Sequence, residues 1–312
     1  VVNATEIKAR VDRAQRTHGW LAFPCGVLKK FGEDASGNLA VVITYYAFFS
    51  IFPLLLALSS ILGFVLHDNP DLQHRIQQGA LDNFRAFPLI HGPPPVQGSV
   101  WVVLIGSLLA LYSGLGVAKS VLNAGDVVYG VPREERPGFV PKTLLSLRLL
   151  LVAGLGLIAT TVLSTTITTS SRLGLHVGWE LTLAGFLVTF VLDTLLFVVV
   201  FRWITVRDVG FRDALPGAVI CAFALCVLQT FASVFITFKL KGASATYGQL
   251  GTVIVLLSWF YLQAQAFVLS AQVNVVRQYR LWPRSMLDDS GPPAVPKEAP
   301  ARTTSSHSGA RS

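Results

Sequence analysis

The chain has 312 residues, 52% hydrophobic and 13% charged, with 25 Lys and Arg against 17 Asp and Glu, and its mean hydropathy is +0.58. Soluble globular chains carry about 25% charged residues, so these values exclude a soluble globular protein and point to one embedded in a membrane. The repeated short alternating segments of a transmembrane barrel are absent, which leaves an all-α, polytopic membrane protein.

In chain order, the first 38 residues are polar and of mixed charge, and are read as a segment outside the bilayer rather than a cleavable leader. Apolar runs between polar punctuation then predict six spans, near 39–66, 100–118, 143–168, 179–201, 214–238 and 247–276. The second is expected to continue as a less oily helix to about Tyr129. Residues 70–85 place Leu72, Ile76, Ala80 and Phe84 four apart, which predicts a short amphipathic helix on the outer face. The stretch "KLKGASATYG" is expected to separate the last two spans. From about Ser285 the chain is rich in Pro, Ser and Gly and reads as a disordered tail. The domains are thus 1–38, 39–280 and 281–312.

Orientation follows from the basic residues. Twenty Lys and Arg fall in the N-terminal segment, the 119–148 and 202–212 connections and the C-terminal segment, against five on the opposite side. That asymmetry predicts both termini in the cytoplasm.

In hydrocarbon, polar side chains turn toward neighbouring helices or a water-filled cavity. Tyr46, Ser50, Pro53, Ala57 and Ser60 form a small and polar stripe on the first span, where Pro53 predicts a kink. Lys119, Asn123 and Asp126 share a face at the inner end of the second span, and the third is rich in hydroxyls toward its outer end. On the fourth, Thr182, Gly185, Thr189 and Asp193 recur at spacings of 3, 4 and 4. A carboxylate at the bilayer centre costs about 2.5–3.5 kcal/mol, so Asp193 is expected to face the bundle, protonated, paired with Lys119 or tying helices together. Gln229 shares a face of the fifth span with Ala218, Ala222 and Ser233. Thr252, Trp259, Gln263, Phe267, Ser270 and Asn274 follow one side of the sixth. Such stripes serve equally as contacts between helices.

Catalytic and cofactor signatures are missing. The sequence contains no phosphate-binding GxxxxGK[ST] loop, GxGxxG fingerprint, HExxH pair or GxSxG elbow. His67 and His74 with Asp68 and Asp71 match no metal-ligand spacing and read as solvated loop residues. The three cysteines form no CxxC pair. No enzyme activity, metal, cofactor or nucleic acid is expected.

Two stretches carry a resemblance. "LAVVITYYAFFSIFPLLLALSSILG", through Ala40, Tyr45, Tyr46, Ser50, Pro53 and Leu54 to Leu56, resembles the opening signature of the YihY/BrkB family of bacterial inner-membrane proteins. "YGQLGTVIVLLSWFYLQAQAFVLSAQVN", through Tyr247, Gly248, Leu250, Gly251, Trp259 and Asn274, resembles its closing signature, and "DALPGA" (Asp213 to Ala218) resembles the entry to its fifth span. The resemblance runs from about residue 30 to 280. One departure stands out: the family's last span usually ends in a Gly-Ala-Glu-x-Asn-like stretch, where this chain has Ser270, Ala271, Gln272, Val273 and Asn274. Glutamine hydrogen-bonds but does not titrate.

The resemblance implies a six-helix protein of the bacterial inner membrane with envelope functions and export of lipid-like molecules. An older family label, ribonuclease BN, finds no support in the residues. The function expected is therefore a transporter, exporter or flippase-like protein for a lipidic or amphipathic substrate, without an ATP-binding module; the alternative is a membrane scaffold or envelope assembly factor. The candidate path comprises Tyr45, Tyr46, Ser50, Pro53, Lys119, Asn123, Asp126, Thr189, Asp193, Gln229, Trp259, Gln263 and Asn274. Membrane lipids are the expected partners, and the sequence is compatible with a homo-oligomer.

Overall fold

A computed structural model describes residues 12–13, 19–65, 100–172, 179–247 and 250–283. Its helices are α1 (Gly19–Glu33), α2 (Ser36–Val65), α3 (Val100–Val128), α4 (Phe139–Arg172), α5 (Trp179–Trp203), α6 (Phe211–Tyr247) and α7 (Leu250–Tyr279). Among the described residues, α2 to α7 are the six helices long and apolar enough to cross a membrane. The protein is an all-helical, multi-pass membrane protein.

Each spanning helix packs on the next in sequence, and α7 returns to α2, so the six close into a ring. The α2–α3 and α6–α7 contacts are the most extensive, α7 also reaches α3, and α1 lies against α7 and α2. We call the end where α1 lies the α1 end. Between lipid-soaked helices apolar burial gains little, so close approach of backbones matters most. Ala214, Gly217, Ala218, Cys221 and Ala222 supply a small-residue face on α6, buried against Ala264, Val268, Ala271 and Val275 of α7. Gly106 on α3 meets α2 in the same way: an added Cβ would lie 3.4 Å from the Ala57 Cα.

The core sits at the α1 end. Ala40 and Ile43 of α2, Ala124, Val128 and Tyr129 at the end of α3, and Val198, Phe201 and Ile204 around the end of α5 form one buried cluster with those α6 and α7 faces. The helix ends there are capped locally. Gly130, at φ 61°, ends α3 in a Schellman turn: the Val131 amide donates to the Asp126 carbonyl at 2.8 Å and the Gly130 amide to that of Val127 at 2.9 Å. The same turn ends α7, with Arg280 in the left-handed position at φ 52° and the Leu281 amide donating to the Val276 carbonyl at 3.0 Å.

Two boundaries differ from expectation. The polar N-terminal segment contains a helix, α1, whose Ala22, Val27 and Lys30 are buried; its apolar residues are too few to read as a span, but they suffice to dock on α7. α6 runs on through "KLKGASATY", because Lys, Ala and Leu are good helix formers and the polar character there does not break the backbone. Pro53 lies inside α2, within the single span expected there. The amphipathic helix expected over 70–85 and the tail from Ser285 lie outside the described residues.

Candidate functional site

Two aromatic rings meet in the buried cluster of the α1 end. Phe201 of α5 and Phe267 of α7 stack with centroids 5.2 Å apart and planes 21° apart. Phe197 lies one turn from Phe201, its ring centroid 6.4 Å away. On α5, Asp193, Phe197 and Phe201 recur every four residues; on α7, Trp259, Gln263 and Phe267 do the same. Four residues is one turn of helix, so each set forms a ladder along one face. Both ladders converge on the stacked pair. Asp193 stands about 12 Å and Gln263 about 6 Å along their axes from it, at about 1.5 Å per residue.

Two of the polar groups on these ladders, Asp193 and Gln263, are without polar partners among the described residues. Asp193, Trp259 and Gln263 are partly exposed, and neither Asp193 nor Gln263 makes an ion pair or hydrogen bond among the described residues. The neighbouring hydroxyls behave differently. Thr189 donates to the Gly185 carbonyl at 2.9 Å and Ser50 to the Ala47 carbonyl at 2.7 Å. A hydroxyl bonded back to its own helix has no donor left, though it keeps a lone pair.

The α2 stripe is divided. Ala57 and Ser60 are buried and Ser50 and Pro53 partly so, while Tyr46 is 43% exposed. Its ring packs on Gly116 of α3, where an added Cβ would meet Tyr46 Cδ1 at 2.8 Å. Tyr45 is exposed and meets rings of its own helix, tilted against Phe49 at 4.7 Å and edge-on to Tyr46 at 5.7 Å. Gln229 is also exposed. Asp193, Trp259 and Gln263 thus lie on the helix faces that carry the stacked pair, whereas Tyr45 and Gln229 are exposed.

Lys119, Asn123, Asp126 and Asn274 belong to the α1 end. Lys119 does not meet Asp193: its ammonium lies 4.9 Å from the Phe139 ring centroid at the start of α4. A lysine extends toward the helix end because its stem is apolar and its head is costly in hydrocarbon. Asp126, buried, is paired instead with Lys142 of α4 at 3.7 Å, and Lys142 also donates to Asn123 Oδ1. Asn274 accepts the Gly217 amide. The Tyr129 phenol is pushed up first by burial and then by Tyr279 and Asp213, while Asn274 acts in the opposite direction.

Sequence reasoning missed the network that holds α1. Lys30, 1% exposed, donates to Asp34 Oδ2. Gln272 of α7 donates to the same carboxylate at 2.7 Å and to Ser36 Oγ at 2.8 Å. The Gln272 position was legible as a departure from a family pattern, whereas its partners lie more than two hundred residues away in sequence.

A family model described as "Virulence factor BrkB" matches residues 27–290. A curated protein of Bacillus subtilis (strain 168), named as the ribonuclease-like protein YfkH, is 31% identical over 86 residues, which is 28% of this chain and 30% of that protein. The match thus spans under a third of the relative's length. No solved structure matches the chain.

Proposed function

The chain belongs to the virulence factor BrkB family, and from that premise we propose that it is a transporter, exporting or flipping a lipidic or amphipathic envelope substrate. It works in the bacterial inner membrane with both termini cytoplasmic, as its basic residues favour. The observation that carries this reading is the convergence of the Asp193–Phe197–Phe201 and Trp259–Gln263–Phe267 ladders on one aromatic stack. Unbonded polar groups in hydrocarbon are costly and mark pathways. Here they stand directly beyond an apolar closure, the arrangement of a path shut at its cytoplasmic end.

Asp193 and Gln263 line that path and meet the polar part of the substrate, while Phe201 and Phe267 form its gate. Neither an ATP-binding motif nor a catalytic constellation stands on the chain, so we read it as a non-enzyme driven by a gradient, a partner or the substrate's own distribution. The relative's ribonuclease-like name supplies the competing reading.

Reconstitution in vesicles containing a headgroup-labelled phospholipid tests the proposal. Protein should make inner-leaflet label accessible to an impermeant quencher, and Asp193→Asn should slow that exposure while leaving the protein folded. Absence of any lipid movement would favour the scaffold reading, in which the stripes only join helices. Ribonuclease activity that co-purifies with the protein through successive steps would favour the enzyme.

A further inference from the structure

The outer face of α4 carries a cation where an apolar surface is expected. Val140, Leu144, Leu151, Leu155 and Ile158 recur at spacings of 4, 7, 4 and 3 and are 56–66% exposed. In a membrane protein a stripe of this kind faces lipid. Arg148 falls in the gap, four residues after Leu144 and three before Leu151, and is itself exposed. The opposite face, with Ser146 and Leu149, is the buried one.

Arg148 is held there by one contact. Its guanidinium carbon lies 3.5 Å from the centroid of the Trp203 ring, the last residue of α5. Stacking on an aromatic face uses the plane of the guanidinium and leaves its N–H edge open. Arg148 makes no ion pair with any described carboxylate. It lies nine residues from the start of α4, about 13 Å at about 1.5 Å per residue, yet the stack holds its head level with the end of α5. Tryptophan at a helix end marks the headgroup level of a bilayer.

A guanidinium stacked at headgroup depth, in no ion pair among the described residues and on a helix face of exposed apolar side chains, has an evident complement. We infer that Arg148 and Trp203 form a binding site for the phosphodiester of a membrane phospholipid, whose chains lie along Leu151 and Leu155. Two phosphate oxygens match the guanidinium fork, and the negative charge supplies the counter-ion that no described carboxylate does. This site lies on the perimeter of the ring, separate from the path proposed above, and does not depend on it. The competing occupant is a second copy of the chain offering a carboxylate.

Native mass spectrometry of the purified protein, titrated with phosphatidylglycerol, tests the site. Wild type should hold a lipid at least about tenfold more tightly than Arg148→Ala, the effect expected for one charge-assisted paired contact. Arg148→Lys, which keeps the charge and loses the fork, should fall between them. Arg212→Ala, an exposed cation at the same end, should bind as wild type does. Equal lipid retention by wild type and Arg148→Ala would overturn the inference, as would a change of oligomeric state in Arg148→Ala with lipid retention intact. If Arg148→Ala does not fold, wild type in phosphatidylglycerol nanodiscs decides the matter by electron cryomicroscopy: headgroup density within hydrogen-bond reach of Arg148 supports the site, and its absence there removes it.

Discussion

Asn274 of α7 accepts the Gly217 amide of α6 at 2.7 Å, and a Cβ added at 217 would lie 2.5 Å from Asn274 Oδ1 and against the Ser270 carbonyl. The side chain at one position and the lack of one at the other thus serve the same contact. It joins the two helices that make one of the most extensive contacts in the ring, in a solvent where apolar burial alone holds helices together weakly.

Gly217→Ala should therefore destabilise the protein by about 1–3 kcal/mol, the range for overpacking a tight contact. Asn274→Ala should cost about 1–3 kcal/mol by removing the buried hydrogen bond to the Gly217 amide. Thermal unfolding in detergent measures both. The double variant should lose less than the sum, because the two changes remove one shared contact; strict additivity would show that the positions are independent.

The Lys30–Asp34 pair is buried, at 1% and 6% side-chain exposure, and Gln272 donates to the same carboxylate. Lys30→Met should destabilise by about 3–5 kcal/mol, since it strands a carboxylate away from water. Adding Asp34→Leu should restore much of that loss, because the stranded charge is then gone. A double variant less stable than Lys30→Met would contradict the account. Proteolysis within 19–33 should follow the same order, since this network ties α1 to α7.

Cys25 lies on α1, outside the spans, and its thiol is pushed up chiefly by burial, with the Asp12 carboxylate adding to it. A raised value keeps the neutral thiol over a wider range, so the reactive thiolate appears only at higher pH than in a free thiol. In a Cys226→Ala background, an impermeant maleimide should label Cys25 slowly at neutral pH and faster as pH rises, while Cys221, 0% exposed, stays unlabelled. Labelling should require inverted membrane vesicles, which checks the proposed orientation in the same experiment. Reaction in right-side-out vesicles would reverse that orientation.

Much of the fold was legible because a membrane makes apolar length a direct reading of structure. The second span was expected to run on to about Tyr129, and α3 ends at Val128, where Gly130 supplies the left-handed turn. α1 was hidden because its apolar run is too short for a span and is interrupted by Pro24. Its docking depends on Lys30 finding Asp34 and Gln272, and no local pattern announces such a meeting.

By itself the sequence determined the solvent, the number of spans and the face on which each polar residue lies, since composition and helical period are local properties. It placed Asp193 on a stripe with Gly185 and Thr189, and Gln263 on another with Trp259 and Phe267. Only the tertiary structure decided what those faces meet. It gave Lys119 to Phe139 rather than Asp193, Asp126 to Lys142, and Phe201 to Phe267. The helical period fixes direction within a segment, but the partner comes from packing between segments distant in the chain. That choice turns on close contacts such as Gly217 against Asn274, which are set by the shapes of two surfaces together.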